Sequence, residues 1–276
     1  MKTMKTSIML WKPGRAVRTA LMALAIAILA IASGAANALT IAEIQKRGTL
    51  AVGLSDVNPP YASKNAKMEH VGLEVELAEM IAKALGVKLK VVIVTAANRV
   101  ACLLTDCADI LIYGLTVTPE RATQVWFSQP YAVNASGIIA AKGTAVASLE
   151  DLVGKRVGVI RAAFGDPVIT EKAPKGATIQ RFDDMSGLLQ AMLSGHVDAI
   201  FENTLIPGVL NTMRKGGDFE TKFVMTAGYW GIAMRPDQEN LRSWINAYLF
   251  TIKTDGKLDA LYRKYMNIPM PQLPTF

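Results

Sequence analysis

From Gly72 onward the apolar residues Leu73, Leu77, Met80, Ile81, Ala84 and Leu85 recur at intervals of three and four, with Glu74, Glu79 and Lys83 off that stripe. This spacing predicts an amphipathic helix, and Gly86 supplies its stop. On either side the period changes. Residues 49–54 and 89–94 are short apolar or β-branched runs that read as buried strands, and Asn58-Pro59-Pro60 between the first strand and the helix carries turn chemistry. The alternation continues with a helix over 98–105 and short strands at 110–112 and 137–141. A second round follows: strands at 155–160, 177–182 and 198–201, with helices at 164–172 (interrupted by Pro167), 184–194 and 204–213. Strands at 223–225 and 230–234 precede two closing helices, 238–253 and 257–266. Strands alternating with helices predict parallel, doubly wound α/β sheets. In such sheets a ligand site lies at the carboxyl ends of the strands.

The chain has 276 residues, 30 of them basic and 23 acidic, a formal net charge of +7. Most of the excess sits at the N-terminus. Lys2, Lys5, Lys12, Arg15 and Arg18 fall within the first 38 residues, which contain no acid, so the remainder is nearly neutral. A near-neutral body argues against a nucleic-acid partner. An apolar share of 51% with 19% charged residues excludes disorder. Two cysteines are too few for a disulfide scaffold. The basic start, the apolar run from Ala20 to Ala32 and the Ala36-Asn37-Ala38 exit are the three parts of a secretory signal. The run is shorter than the roughly 20 residues of a membrane-spanning helix. Residues 1–38 therefore read as a cleavable signal peptide, an uncleaved anchor helix being the alternative, and the mature protein as exported to the periplasm and expected to be a monomer. In that oxidising compartment Cys102 and Cys107, five residues apart at the end of a predicted helix, are candidates for a local disulfide.

No G-x-G-x-x-G, Gly-Lys-Ser/Thr phosphate loop, H-E-x-x-H or G-x-S-x-G occurs, so nothing calls for a nucleotide, a metal or a serine nucleophile. No cofactor is expected. An exported α/β chain without such motifs reads as a binder rather than an enzyme. The segment Gly114–Tyr131, GLTVTPERATQVWFSQPY, carries the most chemistry. A Thr-rich loop with hydroxyls on Thr116 and Thr118 follows a short strand, Gly114 permits close backbone approach, and Arg121 can grip a carboxylate with two parallel hydrogen bonds. From residue type alone, Arg121 reads equally as a solvated helix residue paired with Glu120 or Glu150. Trp230 reads as core or hinge packing, with stacking on a ligand as the alternative.

Several blocks, in order, resemble the bacterial extracellular solute-binding proteins of family 3, the amino-acid-binding components of ABC importers. They are GLEVELAEMIAKALGV (72–87), TAANRVACLL (95–104), GLTVTPER (114–121), FSQPYA (127–132), GKRVGVIR (154–161), GHVDAIFEN (195–203) and GKLDALYRKYMNIPMPQLPTF (256–276). The resemblance implies a two-lobe periplasmic binding protein fold of type II, with lobe 1 from 39–132 plus 227–276, lobe 2 from 133–226, and two crossover segments between them. It implies a small ligand, an amino acid or related carboxylate, clamped between the lobes and delivered to an ABC permease in the inner membrane. By the same resemblance Arg121 receives the ligand's carboxylate, Gly114 and Thr116 add backbone and hydroxyl contacts, and Asn58 and Tyr61 line the first-lobe wall. The chain departs from the family pattern twice. Ala162-Ala163-Phe164 stands where a Gly-Thr-Thr or Gly-Ser-Thr turn is usual, leaving only backbone amides at Ala163 and Phe164. Asn203 stands where an aspartate usually binds the α-ammonium. Glu202 just before it reaches the cleft only if a bulge shifts the strand register. Arg161 is a second anion donor from the opposite lobe or a surface residue. Some proteins resembling this family are dehydratases of the cyclohexadienyl type, and Glu202 facing the cleft would be the acid in that alternative.

Overall fold

A computed structural model of the chain describes residues 39–275; the signal-peptide reading of residues 1–38 lies outside the described residues. Helix α1 (Ile41–Arg47) opens on Thr40. The Thr40 hydroxyl accepts from the Glu43 amide, while the Glu43 carboxylate accepts from the Thr40 amide, a reciprocal cap. Then follow β1 (Thr49–Leu54), a small antiparallel meander of β2 (Val57–Asn58), β3 (Ala62–Lys64) and β4 (His70–Val71), and α2 (Leu73–Ala84). Next are β5 (Lys88–Ile93), α3 (Arg99–Leu104), β6 (Ile110–Leu111), α4 (Pro119–Ala122) and β7 (Trp126–Phe127). The chain runs on through β8 (Ala132–Ala141), β9 (Arg156–Ile160), α5 (Gly165–Lys172), β10 (Thr178–Phe182), α6 (Met185–Leu193), β11 (Ala199–Asn203) and α7 (Ile206–Met213). It returns along β12 (Phe219–Trp230) to β13 (Ala233–Met234), α8 (Glu239–Thr254) and α9 (Lys257–Met266).

Two five-stranded sheets result, in the orders β5-β1-β6-β13-β7 and β10-β9-β11-β8-β12. Each is mixed rather than all parallel. The parallel pairs are β1 with β5 and β6, and β9 with β10 and β11. β13 is antiparallel to β6 and β7, and β8 is antiparallel to β11 and β12. The reason is the route of the chain. β8 leaves the first sheet for the second, and β12 runs back, so the two pair in opposite directions from Ala132↔Trp230 to Ala141↔Phe219. Their length was hidden in the sequence because Asn134, Ser136, Thr226 and Gly228 interrupt the apolar pattern. Pro167 does not interrupt α5. It falls in the first turn, where the missing N–H has no intrahelical partner to lose.

The core lies in three clusters. Leu50, Val52, Leu77, Ile81, Ile110, Ile245 and Leu249 fill the space between the first sheet and α2, α8 and α9. Leu103, Leu111, Tyr113, Val125 and Phe127 cover its other face. Val157, Ile169, Leu188, Ile200 and Leu210 hold the second sheet to its helices. Each fully buried leucine or isoleucine contributes about 1.5–3 kcal/mol. Cys102 and Cys107 are joined by a disulfide across the end of α3, with Cα atoms 5.1 Å apart. So short a loop removes little unfolded-state entropy, which puts its stabilisation at the low end of the usual range. Among the described residues no helix is long and apolar enough to cross a membrane, and no cluster of His, Cys, Asp and Glu is arranged to hold a metal.

Candidate functional site

A cleft with about 680 Å³ of open space lies between the two sheets, at the carboxyl ends of β6, β9 and β11. Asn58, Tyr61, Ala96, Arg99, Tyr113, Gly114, Thr116 and Trp230 form one wall. Asn134, Ser136, Val159, Ile160, Ala163, Phe164, Gly165, Met185, Phe201, Glu202, Asn203 and Ile206 form the other. Of the nine residues singled out from the sequence, Gly114, Thr116, Asn58, Tyr61, Ala163, Phe164 and Asn203 therefore meet here. Arg121 stands one layer behind. Its Nη1 donates to the Thr116 carbonyl at 3.0 Å, its backbone amide donates to the Thr118 hydroxyl that caps α4, and no carboxylate reaches it among the described residues. Burial, with a smaller push from Arg99, brings its pKa down to about 10. Arg161 is exposed and bonded through Nε to Asp183 at 3.2 Å, away from the cleft wall.

The first wall is braced by Glu74, which the helical stripe had placed off the apolar face. It is fully buried. It sits in the first turn of α2, and its Oε1 accepts from the Gly114 amide at 2.7 Å and the Tyr131 hydroxyl at 2.6 Å. Gly114 has a φ of +46°, and a Cβ there would lie 3.2 Å from the Trp230 ring, so glycine suits the position on both counts. Trp230 packs against Tyr61 edge to face, with ring centroids 4.6 Å apart. Arg99 is buried over the Tyr113 ring, its Nη1 donating to the Tyr113 carbonyl at 2.7 Å while Nε has no partner. Arg99 and Glu74 attract each other across this layer.

On the second wall the Asn203 side chain is already engaged. Its Nδ2 donates to the Tyr61 hydroxyl at 2.8 Å, a bond across the cleft, and its Oδ1 accepts from the Leu205 amide at 2.7 Å. Glu202 also lines the cleft, in a β11–β8 register that runs without a bulge. The expected register shift is not needed. Glu202 sits opposite Gly137, and its carboxylate bends back to accept from the Asn203 amide at 2.8 Å. In the Ala162-Ala163-Phe164 turn, the Ala162 amide donates to Asp166 and the Ala163 amide to the Ile160 carbonyl.

Residues 50–268 match the model of the bacterial extracellular solute-binding proteins, family 3. The chain belongs to that family. The L-cystine-binding protein TcyJ of Escherichia coli K12 is 28% identical over 229 residues, covering 82% of this chain and 85% of TcyJ. A mutant of ArgBP from T. maritima superposes with a TM-score of 0.77 at 33% identity, covering 83% of this chain and all of that one. An ancestral amino acid-binding protein described as a precursor of cyclohexadienyl dehydratase gives 0.76 at 31% identity, over 82% of this chain and 98% of its own.

This family 3 protein thus has polar wall residues that its sequence blocks did not single out. Arg99, Glu74, Tyr113, Asn134 and Ser136 were missed. A signal was present for Arg99, the one charge in the short helix RVACLL, whereas nothing in the sequence set Glu74 apart from Glu79 and Lys83 of the same helix, which are exposed. Glu74 and Glu202 share a titration property. Burial pushes both from an ordinary 4.5 up to about 7, against the smaller opposing effect of their hydrogen bonds. The folded chain therefore holds more protons than the unfolded chain between about pH 4.5 and 7. The stability these groups contribute is complete below 4.5 and is lost as pH rises through 7, at up to about 1.4 kcal/mol per pH unit per group. The urea midpoint of the unliganded protein is expected to fall from pH 5 to 8 more steeply than that of Glu202→Gln. Parallel slopes for the two proteins would contradict the assignment.

Proposed function

We propose that this chain is the periplasmic binding component of an ABC importer for an amino acid or a related small carboxylate, which it delivers to an inner-membrane permease. The observation that carries the reading is the cleft at the strand ends, backed by an arginine with no acidic partner among the described residues. A carboxylate entering beside Thr116 meets the unused N–H groups of Arg121, and a bidentate charge-assisted pair forms there. The lobes divide at residues 132–133 and 226–227, within the paired β8 and β12. Bending of these two strands closes the second wall over the ligand, as expected of hinged domains. The closed form presents both lobes to the permease together. Export through a signal peptide at residues 1–38 and a monomeric state belong to the same reading.

In this reading the Glu202 carboxyl binds rather than catalyses, and the chain is not an enzyme. The relatives are named for what they bind, and the dehydratase alternative rests on Glu202 alone. A thermal-shift screen across amino acids, dicarboxylates, betaines and polyamines tests both points, because a ligand bound only by the folded state raises its melting temperature. A rise of about 5 °C or more with at least one carboxylate is expected at saturating concentration. No aromatic product should form from prephenate or arogenate. A flat screen would sink the binding reading, and turnover would sink the non-enzymatic one.

A further inference from the structure

We infer that Glu202, and not Asn203, receives the cationic group of the ligand, so that the cleft selects a net-neutral zwitterion whose remaining part is uncharged and largely apolar. This deepens the amino-acid reading above and rests on it. Four observations meet at the second wall. The first concerns Asn203, whose amide is held at both ends: Nδ2 donates to the Tyr61 hydroxyl and Oδ1 accepts from the Leu205 amide. These two bonds fix the orientation of the amide, and only the second lone pair of Oδ1 is left to face a ligand's ammonium. Neutral as it is, it would still not compensate the charge.

The second concerns Glu202. It lines the cleft with a single hydrogen bond, from the Asn203 amide, and no lysine, arginine or histidine pairs with it among the described residues. A carboxylate held in a closing cleft without a counter-charge is unfavourable, and an arriving cation relieves that.

The third is the balance of charge. The site region holds two guanidinium groups, Arg99 and Arg121, and two carboxyls, Glu74 and Glu202. Arg99 and Glu74 attract each other within the first wall without a direct ion pair, and this offsets part of each charge. Arg121 and Glu202 are left, one of each sign, and the ligand that answers both is a zwitterion. A dicarboxylate would set its second anion against Glu202. A ligand with two cations would find one acid.

The fourth is what surrounds that pair. Val159, Phe164, Met185, Phe201 and Ile206 give the second wall its apolar surface, and apart from Glu202 its polar residues, Asn134, Ser136 and Asn203, are uncharged. Thr116 Oγ1 and Asn134 Oδ1, both buried in the site without a partner, can accept the other N–H groups of a primary ammonium. A quaternary ammonium has no N–H to give them and would leave them unsatisfied.

Calorimetry with L-leucine, L-methionine, L-glutamate, L-arginine, succinate and glycine betaine tests the inference on the wild-type protein and on Glu202→Gln, Asn203→Ala and Arg121→Ala. L-leucine or L-methionine should bind more tightly than the other four. Glu202→Gln should weaken that binding about 30-fold or more, and Asn203→Ala less than about tenfold. Glu202→Asp, which keeps the charge, should bind better than Glu202→Gln and guards against a variant that merely folds poorly. Tighter binding of glutamate, succinate, arginine or betaine, or full affinity in Glu202→Gln, would overturn the assignment. If succinate binds and Arg121→Ala abolishes it, the carboxylate-receptor reading stands and this one falls. If no probe binds the wild type, both fall.

Discussion

Arg121→Ala should bind its ligand about 30- to several-thousandfold more weakly than the wild-type protein, a loss of about 2–5 kcal/mol. The size follows from where the guanidinium sits. It is partly buried behind Thr116, held by one hydrogen bond from Nη1 to the Thr116 carbonyl, and its pKa is drawn down to about 10 by lost hydration. Such a cation gains most from a carboxylate that arrives with it out of water. Removing it leaves the ligand's carboxylate desolvated without a partner. Arg121→Lys keeps the charge but not the planar fork, and should fall between the two. Arg161→Ala is the matched control. Arg161 is exposed and paired with the still more exposed Asp183, so its removal should change affinity less than about threefold. Equal effects of the two substitutions would show that Arg121 is not the anchor.

Glu74→Ala should destabilise the fold by about 3–5 kcal/mol. The substitution takes the acceptor from the buried Tyr131 hydroxyl and leaves the Gly114 amide only its longer, 3.2 Å bond to that same hydroxyl. Each unsatisfied buried donor costs about 1–3 kcal/mol, and the space left by the removed carboxyethyl arm adds to that. Two further effects oppose each other, the first reducing the loss and the second adding to it. Glu74 itself is hard to ionise where it lies, and Arg99 would lose its compensating charge. The urea midpoint, compared at pH 5 and pH 8, separates them: the loss relative to wild type should be larger at pH 5, where Glu74 is neutral and no longer bears its own desolvation penalty. A loss below about 1 kcal/mol at both values would mean that the Gly114 loop does not depend on this brace.

The elements with a strong single period were legible in the sequence. The apolar spacing after Gly72 located α2, and the 49–54 run located β1 without error in either end. What escaped was decided by contacts distant in the chain. β8 and β12 extend over ten and twelve residues because they pair with each other, and their small and polar residues satisfy the cleft rather than a local pattern. The site divided in the same way. Gly114, Thr116 and Tyr61 were found by resemblance and do line the cleft, whereas Arg121 stands behind its wall and Arg161 is exposed. By the alternation rule for strands, Glu202 reaches the cleft only through a bulge, and none lies in the β11–β8 pairing. That rule fixes the Cβ direction, but Glu202 is the penultimate residue of β11, beside the cleft at the carboxyl end of the strand, and it lines the cleft together with Asn203.

A crystal structure of the protein with the carboxylate that raises its melting temperature most tests the central claim most directly. The account predicts the ligand between Tyr61 and Trp230 on one side and Phe164 and Phe201 on the other, its carboxylate within hydrogen-bond distance of the Arg121 guanidinium. A ligand bound elsewhere, or one in the cleft whose carboxylate avoids Arg121, would contradict it.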